Sequence, residues 1–372
     1  MYDLPAHCRI TRAPALPPPT GAVIRVRTGN ELAEAVHNAI PGATILLDDG
    51  TYVMPRGVVL TADDVTIRSA GGDRDAVVLD GAANHMEENL ALLSIRGARR
   101  VCIADLTFRN SRKYGLHFYA DSGVHGLMVW NVVFHNIWAR GLKGTSPCRR
   151  GDAPDDINPP EAVAGLRPRG GAVRHCLFIA DHVKTDLEDG FDGDYISGMD
   201  MMYLTDWTIA DNTFVGLWGA HGWARGAIFI WVETERLTVD RNYFYNCDWS
   251  IALGNPSSTL INVRGAVVRD NLVVAGANRA LECNWTAGVE AYNNIYATQA
   301  THPAVEIIRG SQGCRLHHNI IHGTLNCEPA VVMDHNHTGE FEGCFNDPAS
   351  GDLGFTEKGR RTFGAWRVCW EA

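Results

Sequence analysis

Polar and apolar positions alternate along most of this chain in short runs, each closed by a turn. Eight runs superpose: "CIADLTF" (102–108), "MVWNVVF" (128–134), "VRHCLF" (173–178), "TIADNTF" (208–214), "TVDRNYF" (238–244), "VVRDNLV" (267–273), "EAYNNIY" (290–296) and "RLHHNII" (315–321). Their last residues form a column, Phe108, Phe134, Phe178, Phe214, Phe244, Val273, Tyr296 and Ile321, with spacings of 26, 44, 36, 30, 29, 23 and 25 residues. Period-two alternation in segments rich in Val, Ile, Thr and aromatics predicts strands, and no helical period competes with it. The shortest spacings define one repeat, and the longer ones are repeats carrying inserted loops. Two residues before the column stand Asn212, Asn242, Asn271, Asn294 and Asn319, in five consecutive repeats.

Short strands at this period predict an all-β fold, a single-stranded parallel β-helix in which each coil lies about 4.8 Å above the last. Identical side chains then stack. A buried Asn column bonds amide to amide, and the Phe column fills the tube. The stretch "NELAEAVHNAIPGATILLDDGTY" (30–52) reads as a short amphipathic helix, a Pro-Gly turn and a strand, with Leu32, Val36 and Ile40 on one helix face. Such a helix caps the open end of a coil stack. The expected organisation is an N-terminal extension over 1–29, the β-helix over 30–336, and a C-terminal segment over 337–372 that wraps or covers the last coil. Long loops fall at 145–171, 184–198 and 216–226. Loops crowded onto neighbouring coils build the walls of a binding groove.

Three fragments, "YGLHFYAD", "RGLKGTSP" and "SGMDMMYL", are the same strand at successive levels. Leu116, Leu142 and Met199 point inward, so His117, Lys143 and Asp200 point outward toward water. Tyr119, Thr145 and Met202 follow on the same face, and later coils add Trp231, Glu282 and Glu306. The result is a column of His, Lys and Asp beside the loops. A solvated surface salt bridge is the competing reading of Lys143 and Asp200.

The formal charge of -10 opposes a nucleic-acid partner, and no apolar run is long enough to span a bilayer. The N-terminus carries no apolar signal-peptide core. The ten cysteines contain no C-x-x-C pair; Cys102, Cys176, Cys247 and Cys283 lie in apolar strands and read as buried small hydrophobes.

A Lys, Asp and His column beside aromatics suits a sugar polymer. In a lyase, a base removes the proton α to a uronate carboxylate while a cation neutralises that carboxylate. Lysine serves as the base only where burial or positive neighbours favour its neutral form. Arg225, one coil beyond Asp200, is the candidate carboxylate clamp; His221 on the same loop is a candidate acid or base. The acidic run "DLEDGFDGDY", with Glu188, Asp189, Asp192 and Asp194, offers oxygens for Ca2+ but lacks the spacing of a helix–loop–helix calcium site.

"PGATILLDDGTY", the "DNTF", "RNYF" and "DNLV" turns, "GLKG", "GMD" and "RGAIFIW" resemble bacterial right-handed parallel β-helix repeat proteins of the pectate lyase-like superfamily, over roughly residues 25–335. That group includes polysaccharide lyases, glycoside hydrolases and uronan epimerases, and the fold carries many chemistries. The resemblance implies a secreted or periplasmic protein. Chondroitinase B-like and alginate lyases of this fold use a Lys base, an Arg and an acid-bound calcium; Lys143, Arg225 and the acids of 188–200 match in kind. The arginine motif of pectate lyases and the Asp cluster of polygalacturonases are not matched. "YGLHFYAD" resembles the epimerase Tyr-Gly-x-Asp-Pro-His motif without its Asp-Pro-His core.

The sequence therefore predicts a lyase cleaving an acidic, uronate-containing polysaccharide by β-elimination. Lys143 is the base, Arg225 the clamp, His117 and Asp200 the orienting or proton-donating groups, and Tyr119 and Trp231 the sugar platforms. Two alternatives stand beside it. One is a glycoside hydrolase pairing Asp200 with Asp192, Asp194 or Glu282; the other is a non-catalytic carbohydrate-binding or surface protein.

Overall fold

The computed structural model describes residues 10–363 apart from 55, 83–90, 146–163, 184–190, 277, 299–301, 340 and 351, together with Leu4 and Cys8. Three long parallel sheets of 12, 11 and 10 strands, here A, B and C, run along the molecule, and each strand pairs with its counterpart one coil later. This is a right-handed parallel β-helix. The Phe column stacks in register within sheet B, from Phe108 against Phe134 through to Tyr296 against Ile321. Its rings lie nearly parallel at centroid separations of 5.4, 4.5, 4.9 and 4.7 Å from Phe108 to Phe244. That offset geometry adds to the area the rings bury.

The Asn column is a continuous hydrogen-bonded ladder. Asn212 Nδ2 donates to Asn242 Oδ1 at 2.9 Å, Asn242 to Asn271 at 3.0 Å, Asn271 to Asn294 at 3.0 Å, and Asn294 to Asn319 at 2.9 Å. Asn336 extends it by one rung at 2.9 Å. Each Oδ1 also accepts the backbone N–H of the preceding Asn, as Asn271 does from Asn242 at 3.0 Å. The ladder holds a strained turn: the residues just before it, Asp211, Arg241, Asp270, Asn293 and His318, all have left-handed φ of 50–61°. That conformation costs an L-residue about 1–2 kcal/mol. The amide bonds close the turn from below and offset the cost.

Helix α1, Gly29–His37, caps the first coil with Thr28 accepting from Glu31 N. Leu32 and Val36 are buried, but Ile40 lies beyond the helix and is 56% exposed, so it leaves the face expected for it. The sheet begins earlier than the expected boundary at residue 30: Val23–Val26 already pairs with Thr44–Leu47. Residues 11–17 lie along the outside of sheet A, where Trp130 Nε1 donates to Pro14 O at 3.1 Å and Arg68 Nη1 to Pro17 O at 3.0 Å, while Leu4 and Cys8 pack against Val133, Leu177, Ile179 and Val215 of sheet B.

At the other end, His337–Gly339 still pairs with Ile320–His322. A hairpin, Phe345–Asp347 with Asp352–Phe355, and helix α2, Glu357–Phe363, follow. Phe345, Leu353, Phe355 and Phe363 pack on Leu272, Val274, Ile295 and Ile320, the outward side of sheet B. The C-terminal segment thus wraps a flank, while Val332 and Met333 at the last coil stay more than half exposed, at 57% and 53%. Cys102, Cys176, Cys247 and Cys283 are buried free thiols, as expected. Among the described residues no helix is long and apolar enough to cross a membrane.

Replacing Asn271, in mid-ladder, by Ala strands polar groups on two buried neighbours. A loss of about 2–4 kcal/mol is expected, two or more groups at roughly 1–3 each. Asn336→Ala, at the part-buried end, should cost less. Denaturant unfolding of both variants checks the difference.

Candidate functional site

The outward column of sheet C has the register expected from its three fragments. His117 pairs with Lys143 and Lys143 with Asp200. The column continues through Phe229, Ala252, Glu282 and Glu306. Trp231 is not in it: Trp231 pairs with Met202, one pleat further along the strand, and Phe229 holds the rung after Asp200. The inward partners Leu116, Leu142 and Met199 are core residues.

The expectation that the three side chains face open water is corrected. His117, Lys143 and Asp200 are 6%, 3% and 2% exposed, because aromatic side chains and the loop after residue 190 lie over them. A solvated salt bridge is therefore not what forms. Asp200 is saturated with donors: Arg140 Nε reaches Oδ2 at 3.0 Å, Lys143 Nζ bonds the same oxygen, and Trp231 Nε1 donates to Oδ1 at 3.0 Å. Burial alone would raise the Asp200 pKa, but Lys143 and Arg140 outweigh it and hold the carboxyl below its ordinary range. Asp200 is ionised, and Lys143 donates to it.

Among the described residues two cations thus share one carboxylate in a buried site, leaving one surplus positive charge. Tyr195 meets it. The Arg140 guanidinium lies 3.7 Å from the Tyr195 ring centroid, and Lys143 Nζ is 3.4 Å from the Tyr195 hydroxyl. Burial pushes the Tyr195 phenol up, yet Arg140 and Lys143 pull harder, and its pKa falls below that of an ordinary tyrosine. Its neighbour Tyr114 moves the other way, raised by burial and then by charge on Tyr195. Of the two phenols, Tyr195 is the one poised to ionise.

These residues line a cleft of ≈ 1000 Å³ on sheet C. Arg225 lines it too, with Nη1 donating to Glu282 Oε2 at 2.9 Å and its guanidinium centre 4.8 and 4.7 Å from the rings of Phe229 and Trp249. Trp223 and Phe191 stand at the rim, 50% and 61% exposed.

Other expected members fall elsewhere. His117 is outside the cleft lining; its Nε2 is 2.8 Å from Thr145 Oγ1. Burial, then Lys143 and Arg96, lowers its pKa to about 4, so it is neutral at pH 7. Tyr119 is likewise outside the lining, stacked under Arg96 at 4.2 Å. His221 is exposed, with Nδ1 3.3 Å from Asp194 Oδ2. Asp194 also accepts from His221 N at 3.0 Å and Trp223 N at 3.4 Å, so it fastens the 216–226 loop. Asp192 and Asp194 both line the cleft, but no group of three acids, histidines or cysteines converges on a cation position among the described residues. Glu188 and Asp189 lie outside those residues, as does most of the 145–171 loop.

Arg140, Tyr195, Phe191 and Trp223 escaped the sequence reading. Arg140 had a signal, since "RGLKG" holds a second cation three residues before Lys143. Tyr195 lies in an inserted loop, where the repeat offers no column to align.

No family model matches the chain, and no curated protein matches it. Among solved structures 83 chains match. An endo-xylogalacturonan hydrolase from Aspergillus tubingensis has a TM-score of 0.54 at 12% identity, covering 90% of this chain and 98% of that one. The A-module of a mannuronan C-5 epimerase from Azotobacter vinelandii scores 0.50 at 12% identity, covering 83% and 88%. PfbA, a surface adhesin of Streptococcus pneumoniae, scores 0.51 at 12% identity, covering 83% and 86%. The chain carries the right-handed parallel β-helix fold of these proteins. At such identities the likeness is one of fold, and the fold serves enzymes and an adhesin alike.

Two outcomes follow from this geometry. Asp200→Asn keeps the shape but leaves Arg140 and Lys143 buried without a counter-charge, and is expected to cost about 3–5 kcal/mol in denaturant unfolding. Asp248, under the 216–226 loop, accepts from Gly219 N at 2.9 Å and Ala224 N at 3.0 Å, and burial raises its pKa from 3.8 to about 6. The folded state then binds its proton more tightly than the unfolded state, so stability from this group falls as pH rises from 3.8 to about 6. Thermal melts across that window should show a decline in the wild type that Asp248→Asn flattens.

Proposed function

We propose that this protein is a polysaccharide lyase acting on a uronate-containing polysaccharide by β-elimination. The observation that carries the reading is Tyr195: a phenol over an unbalanced Arg–Lys pair, in a cleft long enough for several sugar rings. The neighbouring Arg140 and Lys143 favour its phenolate, the form that acts as a base. Lys143, read from the sequence as the base, here acts with Arg140 to favour the Tyr195 phenolate.

The step balances as follows. Tyr195 Oη takes the proton at C5, α to the uronate carboxylate. The C5–H electron pair becomes the C4=C5 double bond, and the C4–oxygen bond breaks. The leaving glycosidic oxygen takes a proton from the phenol just formed, which regenerates the phenolate. Arg225, anchored by Glu282, binds the carboxylate and stabilises the charge that builds there. Asp200 sets the Arg140 and Lys143 positions, and Trp231 fixes Asp200. His117, neutral and bonded to Thr145, supports the neighbouring rung. Trp223 and Phe191 give exposed faces on which sugar rings stack.

The hydrolase reading asks for a carboxyl pair with one member protonated. Asp200 is ionised and bonded on both oxygens, and Asp194 is committed to loop amides, so neither fits an acid role.

The test is a panel of uronate polysaccharides read by the ultraviolet absorbance of the unsaturated product. Absorbance is expected, with kcat/KM rising with pH through the lowered Tyr195 ionisation. Tyr195→Phe should lower kcat by about 10²–10⁴-fold, the usual worth of a positioned base. Lys143→Ala should move the ascending limb to higher pH. Reducing ends released without absorbance would favour the hydrolase; binding without product would favour an adhesin-like role.

A further inference from the structure

We infer that the cleft takes a polysaccharide whose uronate units are separated by uncharged sugars, and that it disfavours uninterrupted uronate runs. The inference rests on the lyase reading above and concerns the substrate of the same site. It comes from the charges along the cleft. Among the described residues the lining holds four cations, Lys113, Arg140, Lys143 and Arg225, and three carboxylates, Asp192, Asp194 and Asp200; Glu282 bonds Arg225 from behind. Four positive charges face four negative ones.

The one local surplus among the described residues, at Arg140 and Lys143, is covered by the Tyr195 ring and hydroxyl. The other rungs carry none. One step past Arg225, Arg279 bonds Glu306, the rung after Glu282, and packs on Trp249 with 4.8 Å to the ring centroid. Arg225 and Arg279 each already have a carboxylate.

A polyuronate brings one negative charge per sugar. The cleft lining extends over about five coils, roughly 19 Å at the spacing of paired strands. A polyuronate would therefore set several carboxylates against a neutral, partly acidic wall, and like charges opposed across an interface are costly. A lone uronate opposite Arg225, flanked by neutral rings on Trp223 and Phe191, meets no such opposition.

The test is binding to Tyr195→Phe protein, measured by calorimetry at near-physiological salt, with oligosaccharides of equal length. One set alternates hexuronate with uncharged sugar, as in hyaluronan fragments; the other is all uronate, as in oligogalacturonate and oligomannuronate. Wild-type cleavage of each set is followed in parallel. The alternating set is expected to bind at least about tenfold more tightly, and the gap to narrow at high salt and in Asp192→Asn. Equal or tighter binding of the all-uronate set, with unsaturated products from it, overturns this inference and leaves the lyase reading standing. Neither binding nor cleavage of any set overturns both.

Discussion

The structure depends on one constraint, the strict vertical register of its coils. A parallel coil has no partner within itself; its backbone groups are satisfied only by the coil above and the coil below. A slip of one residue would turn every outward side chain inward. Two columns prevent the slip. The Asn ladder bonds both the amide and the backbone N–H of each rung to the next, and from Phe108 to Phe244 the rings stack one on another. The ladder fastens left-handed turns that the chain would not otherwise keep.

The site inherits its geometry from that register. Lys143 meets Asp200 because their strands pair, and Arg140 reaches the same carboxylate from the start of its own strand. A rigid stack can hold two cations on one carboxylate away from water, a charge arrangement that a flexible loop would relax. The imbalance is what acts on Tyr195. The inserted loops bring the rest: the phenol, the rim aromatics and Arg225. Stability thus sits in the coils and specificity in the loops.

That division also decides what was legible in the sequence. Columns are visible wherever the repeat supplies an equivalent residue in each coil, so the fold, the Phe and Asn columns and the His117–Lys143–Asp200 alignment were all readable. Trp231 was placed one pleat off, because "RGAIFIW" contains no Gly-x-charged anchor and Phe229 took the rung. Burial was not readable, because it comes from loop residues lying over the sheet. Tyr195 lies between repeats, and its role arises from contact with Arg140 and Lys143, more than fifty residues earlier.

Among the described residues the register-locked Arg140–Lys143–Asp200 cluster carries one more positive charge than negative, and that excess lowers the Tyr195 pKa. The most direct measurement is a pH titration of tyrosinate ultraviolet absorbance in the folded protein, wild type beside Tyr195→Phe. The account predicts one phenol ionising ahead of the others in the wild type and missing from Tyr195→Phe. Superimposable curves, with no early-titrating tyrosine, would contradict it.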